Sequence, residues 1–309
     1  MVYAKQSIKR VLGEIGVKKY QQNIPIDSRN LVIYFNKEKS DTLTPLENNS
    51  TKYKHFSNDE LIFKPTIYKF GGELYDLTQE GLYYMVDFKQ GVAHNVIIYN
   101  KNIYSLLSSL SWLVVHGTND DGKSFETNYN NILHSKLSLT CGDISSFVST
   151  LLNRLNIENR VVNFVTMDKK NSYDNGHVLI EVKIDGKYTL FDLDNNQYFM
   201  QGEKALSAKD FIGFKSWDSL KLIKLSNDNN VDAQHFSVGS ISLHGFIDNV
   251  NNHIKKWYKR VMQVPMISEE GVVYMGLSNK KDVGDLLKYY PNAVILSRDE
   301  FNKKFYGEQ

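Results

Sequence analysis

The stretch from Cys141 to Asp192 limits what this chain can fold into more than any other. Between Cys141 and Asn156, apolar residues stand at Ile144, Phe147, Val148, Leu151, Leu152 and Leu155, the spacing of a helix with one buried face. Three strands are expected to follow, over Arg160 to Met167, His177 to Ile184 and Lys187 to Leu193. The last two flank Asp185-Gly186, a dipeptide that closes a two-residue hairpin by placing both turn residues at positive φ. A helix feeding consecutive antiparallel strands is an α+β arrangement, with the helix laying its apolar face on the sheet.

The same stretch carries the chain's chemistry. Cys141 is the single cysteine of 309 residues, which excludes an internal disulfide and any multi-cysteine zinc site. A lone cysteine is more often a small buried hydrophobe than a nucleophile. Its place at the start of the helix favours reactivity, because unpaired N–H groups and the positive end of the dipole stabilise a thiolate. Gly142, with no side chain, would let a substrate carbonyl come close. A thiol nucleophile also needs a base in reach and a third group to orient that base. His177 begins one hairpin strand and Asp192 ends its partner, and the pairing set by the turn brings them within about one step of each other at the open end. Taken singly, His177 reads as a strand-end histidine with a satisfied hydrogen bond and Asp192 as a turn-capping carboxylate. Asp194, two residues on and so on the same strand face, is a rival for the third role. Asp143 sits in the first helical turn, where a carboxylate is normally stabilising, and reads as structural or as a contact to substrate.

From Thr140 to Val162 the chain reads TCGDISSFVSTLLNRLNIENRVV, and from Gly176 to Asp192 it reads GHVLIEVKIDGKYTLFD. A cysteine opening a helix, a leucine-rich helix end running into Arg-Val-Val, then a strand histidine and a strand aspartate in that order resemble the transglutaminase-like superfamily. The resemblance covers roughly residues 100 to 200. Two positions depart from the family pattern: Leu179 stands where an aromatic residue is common, and Asn156 replaces the usual glycine of the turn after the helix. The resemblance implies a papain-like core with Cys141 as nucleophile, His177 as base and Asp192 orienting the histidine. It also implies attack on an amide or ester carbonyl, a thioester intermediate, and acyl transfer to water or an amine. The oxyanion would be held by the Cys141 N–H and a second upstream donor, with Trp112, His116, Asn128, Asn131 and His134 as candidates. Arylamine N-acetyltransferases share the residue order, but their Arg-Gly-Gly-x-Cys run is absent, and the zinc pair of peptide N-glycanases cannot exist in a one-cysteine chain. The alternative from another class is a catalytically silent fold of this kind acting as a protein-binding module.

The flanks are less informative. Residues 1 to 100 read as a β-rich region: a short helix over residues 1 to 20, a strand from Leu31 to Phe35, and the aromatic and β-branched segments LIFKPTIYKF, GLYYMVDF and VAHNVIIYN. A buried helix is expected over Asn102 to His116 and a long polar loop over Thr118 to Thr140. A polar boundary after Asn227 separates a core, residues 101 to 227, from a C-terminal α/β extension, residues 228 to 309. In that extension an amphipathic helix is expected over His244 to Met262, a hairpin around Glu269 to Gly271, and helices over Val283 to Tyr289 and from Arg298.

With 37 Lys and Arg against 35 Asp and Glu, the net charge of +2 argues for neither nucleic acid nor an anionic membrane. The basic run from Lys255 to Arg260 reads as a solvated helix face. The remaining histidines show no ligand spacing, so neither metal nor cofactor is expected. No segment approaches the ~20 apolar residues of a membrane span and no signal peptide is legible, which points to the cytoplasm, although signal-less secretion would leave the same sequence. The expected partner is a protein, peptide or amide-containing small-molecule substrate, and the oligomeric state is left open.

Overall fold

The computed structural model describes residues 30–35, 40–49, 52–171, 175–225, 250–281 and 283–307. The helix expected over residues 1 to 20, and the start of the one expected from His244, lie outside the described residues. The class is α+β, 25% helical and 39% strand. Chain contacts define two compact units, the described residues up to Leu139 and those from Thr140 to Lys224 together with Val250 onward. The sequence pattern instead suggests three parts, with boundaries at 101 and 228.

In the first unit the strands are β1 (Asn30–Phe35), β2 (Ser40–Thr42), β3 (Lys54–His55), β4 (Ile62–Phe63), β5 (Thr66–Phe70), β6 (Glu73–Leu77), β7 (Gly81–Asp87) and β8 (Val92–Ile98). They form a five-stranded sheet in the order β2-β1-β7-β8-β4 and a small sheet β3-β5-β6. The β7–β8 hairpin turns where Asp87 Oδ1 accepts the N–H groups of Lys89 at 2.9 Å and Gln90 at 3.1 Å, an aspartate turn. Val32, Phe63, Tyr75, Leu77, Tyr83, Met85 and Val96 fill the core between the sheets.

Helix α1 spans Ile103–Trp112 and is capped by Asn102, whose side chain accepts from the Ser105 N–H. It stops four residues before the expected His116. Val114–His116 instead form β9, which pairs in parallel with β10 (Leu137–Leu139), a role that suits the β-branched Val114-Val115. The stretch expected as loop, Thr118 to Thr140, contains β10 and a short helix α2 (Phe125–Ile132) capped by Ser124. The helix is Asn-rich and brief, so its periodicity does not stand out from polar sequence.

The second unit opens with α3 (Cys141–Arg154), followed by β11 (Asn159–Val165), β12 (Gly176–Ile184), β13 (Lys187–Asp192), β14 (Gln197–Gln201), β15 (Lys204–Ala205) and β16 (Leu220–Lys224). The β12–β13 hairpin has the expected register, Ile184↔Lys187, with Asp185 at φ 49° and Gly186 at φ 79°. Asn156, at the position where the family pattern has glycine, takes φ 58°, a left-handed conformation that Asn tolerates better than other side chains do.

Next come α4 (Val250–Val261), β17 (Val264–Glu269), β18 (Val272–Leu277), α5 (Leu286–Tyr289), β19 (Val294–Ser297) and α6 (Arg298–Tyr306). These C-terminal elements continue the same sheet: β17 pairs antiparallel with β11, giving the order β15-β14-β13-β12-β11-β17-β18-β19. Phe164, Leu179, Leu190, Phe199, Phe211, Tyr258 and Phe301 share one apolar cluster, with α4 against β12 and α6 against β18 and β19. A buried ion pair strengthens that packing. Arg160 Nη2 lies 2.6 Å from Glu181 Oε2, Arg160 Nη1 donates to the Phe305 carbonyl at 2.8 Å, and the Tyr306 hydroxyl donates to Glu181 at 2.8 Å.

Candidate active site

Thr140 is the extended N-cap residue of α3, and Ile144 N–H bonds its carbonyl at 2.8 Å. That leaves Cys141 as the first helical residue, where backbone N–H groups lack intrahelical acceptors. The thiol is half-buried. The Thr140 hydroxyl donates to Asp143 Oδ2 at 3.4 Å, which ties this carboxylate to the cap. A Cβ built on Gly142 would meet only Val178, at an ordinary 3.8 Å, so the fold itself makes no demand for glycine there.

His177 stands second in β12 and is 3% exposed; Asp192 ends β13 and is 0% exposed. His177 Nε2 and Asp192 Oδ2 are 2.8 Å apart. His177 and the Val178 N–H both act on the Cys141 thiol to favour its ionised form. With Nε2 engaged by Asp192, Nδ1 is the ring nitrogen left for the sulfur. The three residues named from sequence are thus brought together as a chain, thiol to imidazole to carboxylate.

The charges support one another. Burial pushes the Cys141 thiol up, but the hydrogen bond and charge of His177 outweigh it, with help from the Val178 N–H, and the thiol lies below its ordinary value. Burial alone would discharge His177, yet Asp192 beside it holds the imidazole well above the usual histidine range. Asp192 is lowered against its own burial by His177, Tyr258 and Asn195. The thiol is shifted down and the imidazole up, which is the direction that favours a thiolate–imidazolium pair. Asp194, in the turn beyond β13, acts on the thiol as a nearby negative charge and works against its ionisation. It is Asp192 that bonds the imidazole.

Sequence reasoning missed the residues that surround Asp192. Asn195 donates to it twice, from its backbone N–H to Oδ1 at 3.1 Å and from Nδ2 to Oδ2 at 2.9 Å. Tyr258, from α4, donates its hydroxyl to Oδ2 and accepts from Gln197 Nε2. Trp257 meets the His177 ring edge-to-face with centroids 4.8 Å apart. Both aromatics lie within the basic run from Lys255 to Arg260; Trp257 falls on the apolar face expected of that helix, whereas Tyr258 is not among the residues expected there. Lys256 and Lys259 are indeed exposed, but Tyr258 is fully buried. The stripe Ile254, Tyr258, Val261 carried the signal at helical spacing, masked by the lysines around it.

The five upstream residues named for an oxyanion donor belong to the first unit. There Asn128 Nδ2 donates to the Asp120 carbonyl at 3.3 Å, His134 Nδ1 lies 2.7 Å from the Ala93 carbonyl, and Trp112 faces the Lys136 ammonium at 4.4 Å. Among the described residues there is no group of three or more His, Cys, Asp or Glu side chains arranged to hold a metal ion, and no helix long and apolar enough to cross a membrane. No protein-family model, no curated protein and no solved structure matches the chain.

Proposed function

We propose that this protein is a thiol enzyme of the transglutaminase-like, papain-related kind that transfers an acyl group from an amide or ester through a thioester on Cys141. The observation that carries the reading is the place of His177, 2.8 Å from the buried Asp192 at Nε2 and acting on the thiol of the helix-opening Cys141. In the first half-reaction the thiolate sulfur attacks the carbonyl carbon. The oxyanion forms beside the unpaired N–H of Cys141 at the head of α3. The tetrahedral adduct collapses with loss of the amine, which takes the proton held by His177, and leaves the thioester. In the second half, water or an amine attacks the thioester, His177 takes back a proton, and the sulfur leaves as thiolate. Asp192 keeps its charge throughout and fixes the ring so that Nδ1 faces the sulfur. The substrate is a protein, a peptide or a small amide.

The test is the pH dependence of iodoacetamide alkylation at Cys141 in the wild type and in His177→Ala. The expected result is rapid alkylation with a midpoint well below ~8.5 that rises in the variant. Turnover of amide or thioester probes should fall by roughly 10²–10⁴ on loss of the base. Slow alkylation indifferent to His177 would favour the alternative, a silent fold that binds a protein partner.

A further inference from the structure

We propose that Tyr258 is a positioning residue for the Cys141–His177 pair, acting through Asp192, so that α4 completes the site from the C-terminal part of the chain. The inference rests on the acyl-transfer reading above. A phenol has one proton to give and two lone pairs to fill. Here the lone pairs face Gln197 Nε2 and, at 3.3 Å, Asn195 Nδ2, both donors, so the proton is directed to Asp192 Oδ2. That same oxygen faces His177 Nε2 at 2.8 Å.

Asp192 has two kinds of support. Asn195 is three residues away on the same turn and moves with the carboxylate it bonds. Tyr258 is 66 residues away on another element. Its ring is fixed edge-to-face on Phe199 with centroids 5.1 Å apart and is 0% exposed. Tyr258 therefore holds Oδ2 in place relative to the sheet, which the local turn cannot do. Asp194 acts on both the thiol and the phenol, Asp143 is tied to the Thr140 cap, Lys224 donates to the Asn195 carbonyl at 3.2 Å, and Lys255 donates to the Asp218 carbonyl at 3.4 Å.

Tyr258→Phe keeps the ring and removes only the hydroxyl. Released on that side, Asp192 holds His177 less well, and the thiolate–imidazolium state forms over a narrower pH range. In the full-length protein, the lower midpoint of Cys141 alkylation by iodoacetamide should move up by about one pH unit, and the rate at pH values below it should fall roughly tenfold. A residue with a merely structural role would lower the melting temperature and leave the midpoint where it was. An unchanged midpoint in folded Tyr258→Phe overturns the proposal. Should that variant not fold, Gln197→Met carries the test. It removes a donor that aims the hydroxyl, and the midpoint should move the same way by a smaller amount, no movement again being fatal. An ordinary thiol midpoint in the wild type would sink the acyl-transfer reading and this inference together. A low wild-type midpoint with no response to either substitution sinks this inference alone.

Discussion

His94 in the first unit and His177 in the second are buried to the same degree, 2% and 3% exposed, yet their rings are driven in opposite directions. His94 is lowered, by burial first and then by the neighbouring His134. Neither of its ring nitrogens has a hydrogen-bond partner among the described residues, and it packs on Phe56 and His134. His177 is raised, because Asp192 more than offsets its burial. Lys136 extends the contrast in the first unit: it is 7% exposed, and its ammonium has no hydrogen-bond partner among the described residues, only the face of Trp112. The second unit instead pairs Arg160 with Glu181 and His177 with Asp192. Depth of burial sets the size of the electrostatic cost, and the presence of a counter-charge decides whether a group stays ionised. Among the described residues, such a charge acts on the cysteine thiol in the second unit.

The largest expected effect comes from making the second unit resemble the first. Asp192→Ala strips the counter-charge from His177 and an acceptor from Tyr258 and Asn195, and should destabilise the protein by about 3–5 kcal/mol in urea unfolding at pH 7. A loss of a few tenths would mean that the pair is not a buried ion pair at all.

The opposite response is expected in the first unit, where Lys136 is pushed down to about 7 by burial. Lys136→Met removes an uncompensated amine and should stabilise by about 1–3 kcal/mol at pH 7. Because the folded value lies below the unfolded one of ~10.4, the unfolded chain binds more protons between them, and wild-type stability rises with pH through that window. The advantage of Met should therefore shrink between thermal melts at pH 7 and pH 9.5; an advantage that grows would refute the buried-amine account.

The smallest effect separates the two histidines by sign. His94, lowered in the fold, costs stability as pH falls through the unfolded value of ~6.5, because the unfolded chain takes up the proton first. His177, raised in the fold, contributes stability that is complete below ~6.5 and is lost only as pH rises through its folded value. His94→Leu should thus flatten the decline of the urea midpoint between pH 7 and pH 5. Replacing His177 by Leu should leave that acid-side decline in place and change the alkaline side.

The sequence by itself determined the elements whose instructions are local. Cys141 to Arg154 forms a helix because its apolar residues repeat at helical spacing, and Asp185-Gly186 closes the hairpin because both residues accept positive φ. These elements made Cys141, His177, Asp192 and the rival Asp194 candidates, and the family resemblance chose Asp192 over Asp194. Tertiary structure decided what no window of sequence contains. Val114–His116 leaves the helical pattern because β10, more than twenty residues later, offers a partner strand. The C-terminal segment, which reads as an extension, is part of the sheet because β17 bonds β11. Tyr258 reads as one more residue in a basic run until the core turns it onto Asp192. Helix periods and turns are set by neighbours along the chain, whereas the ionisation of a buried group is set by neighbours in space, and folding alone supplies those.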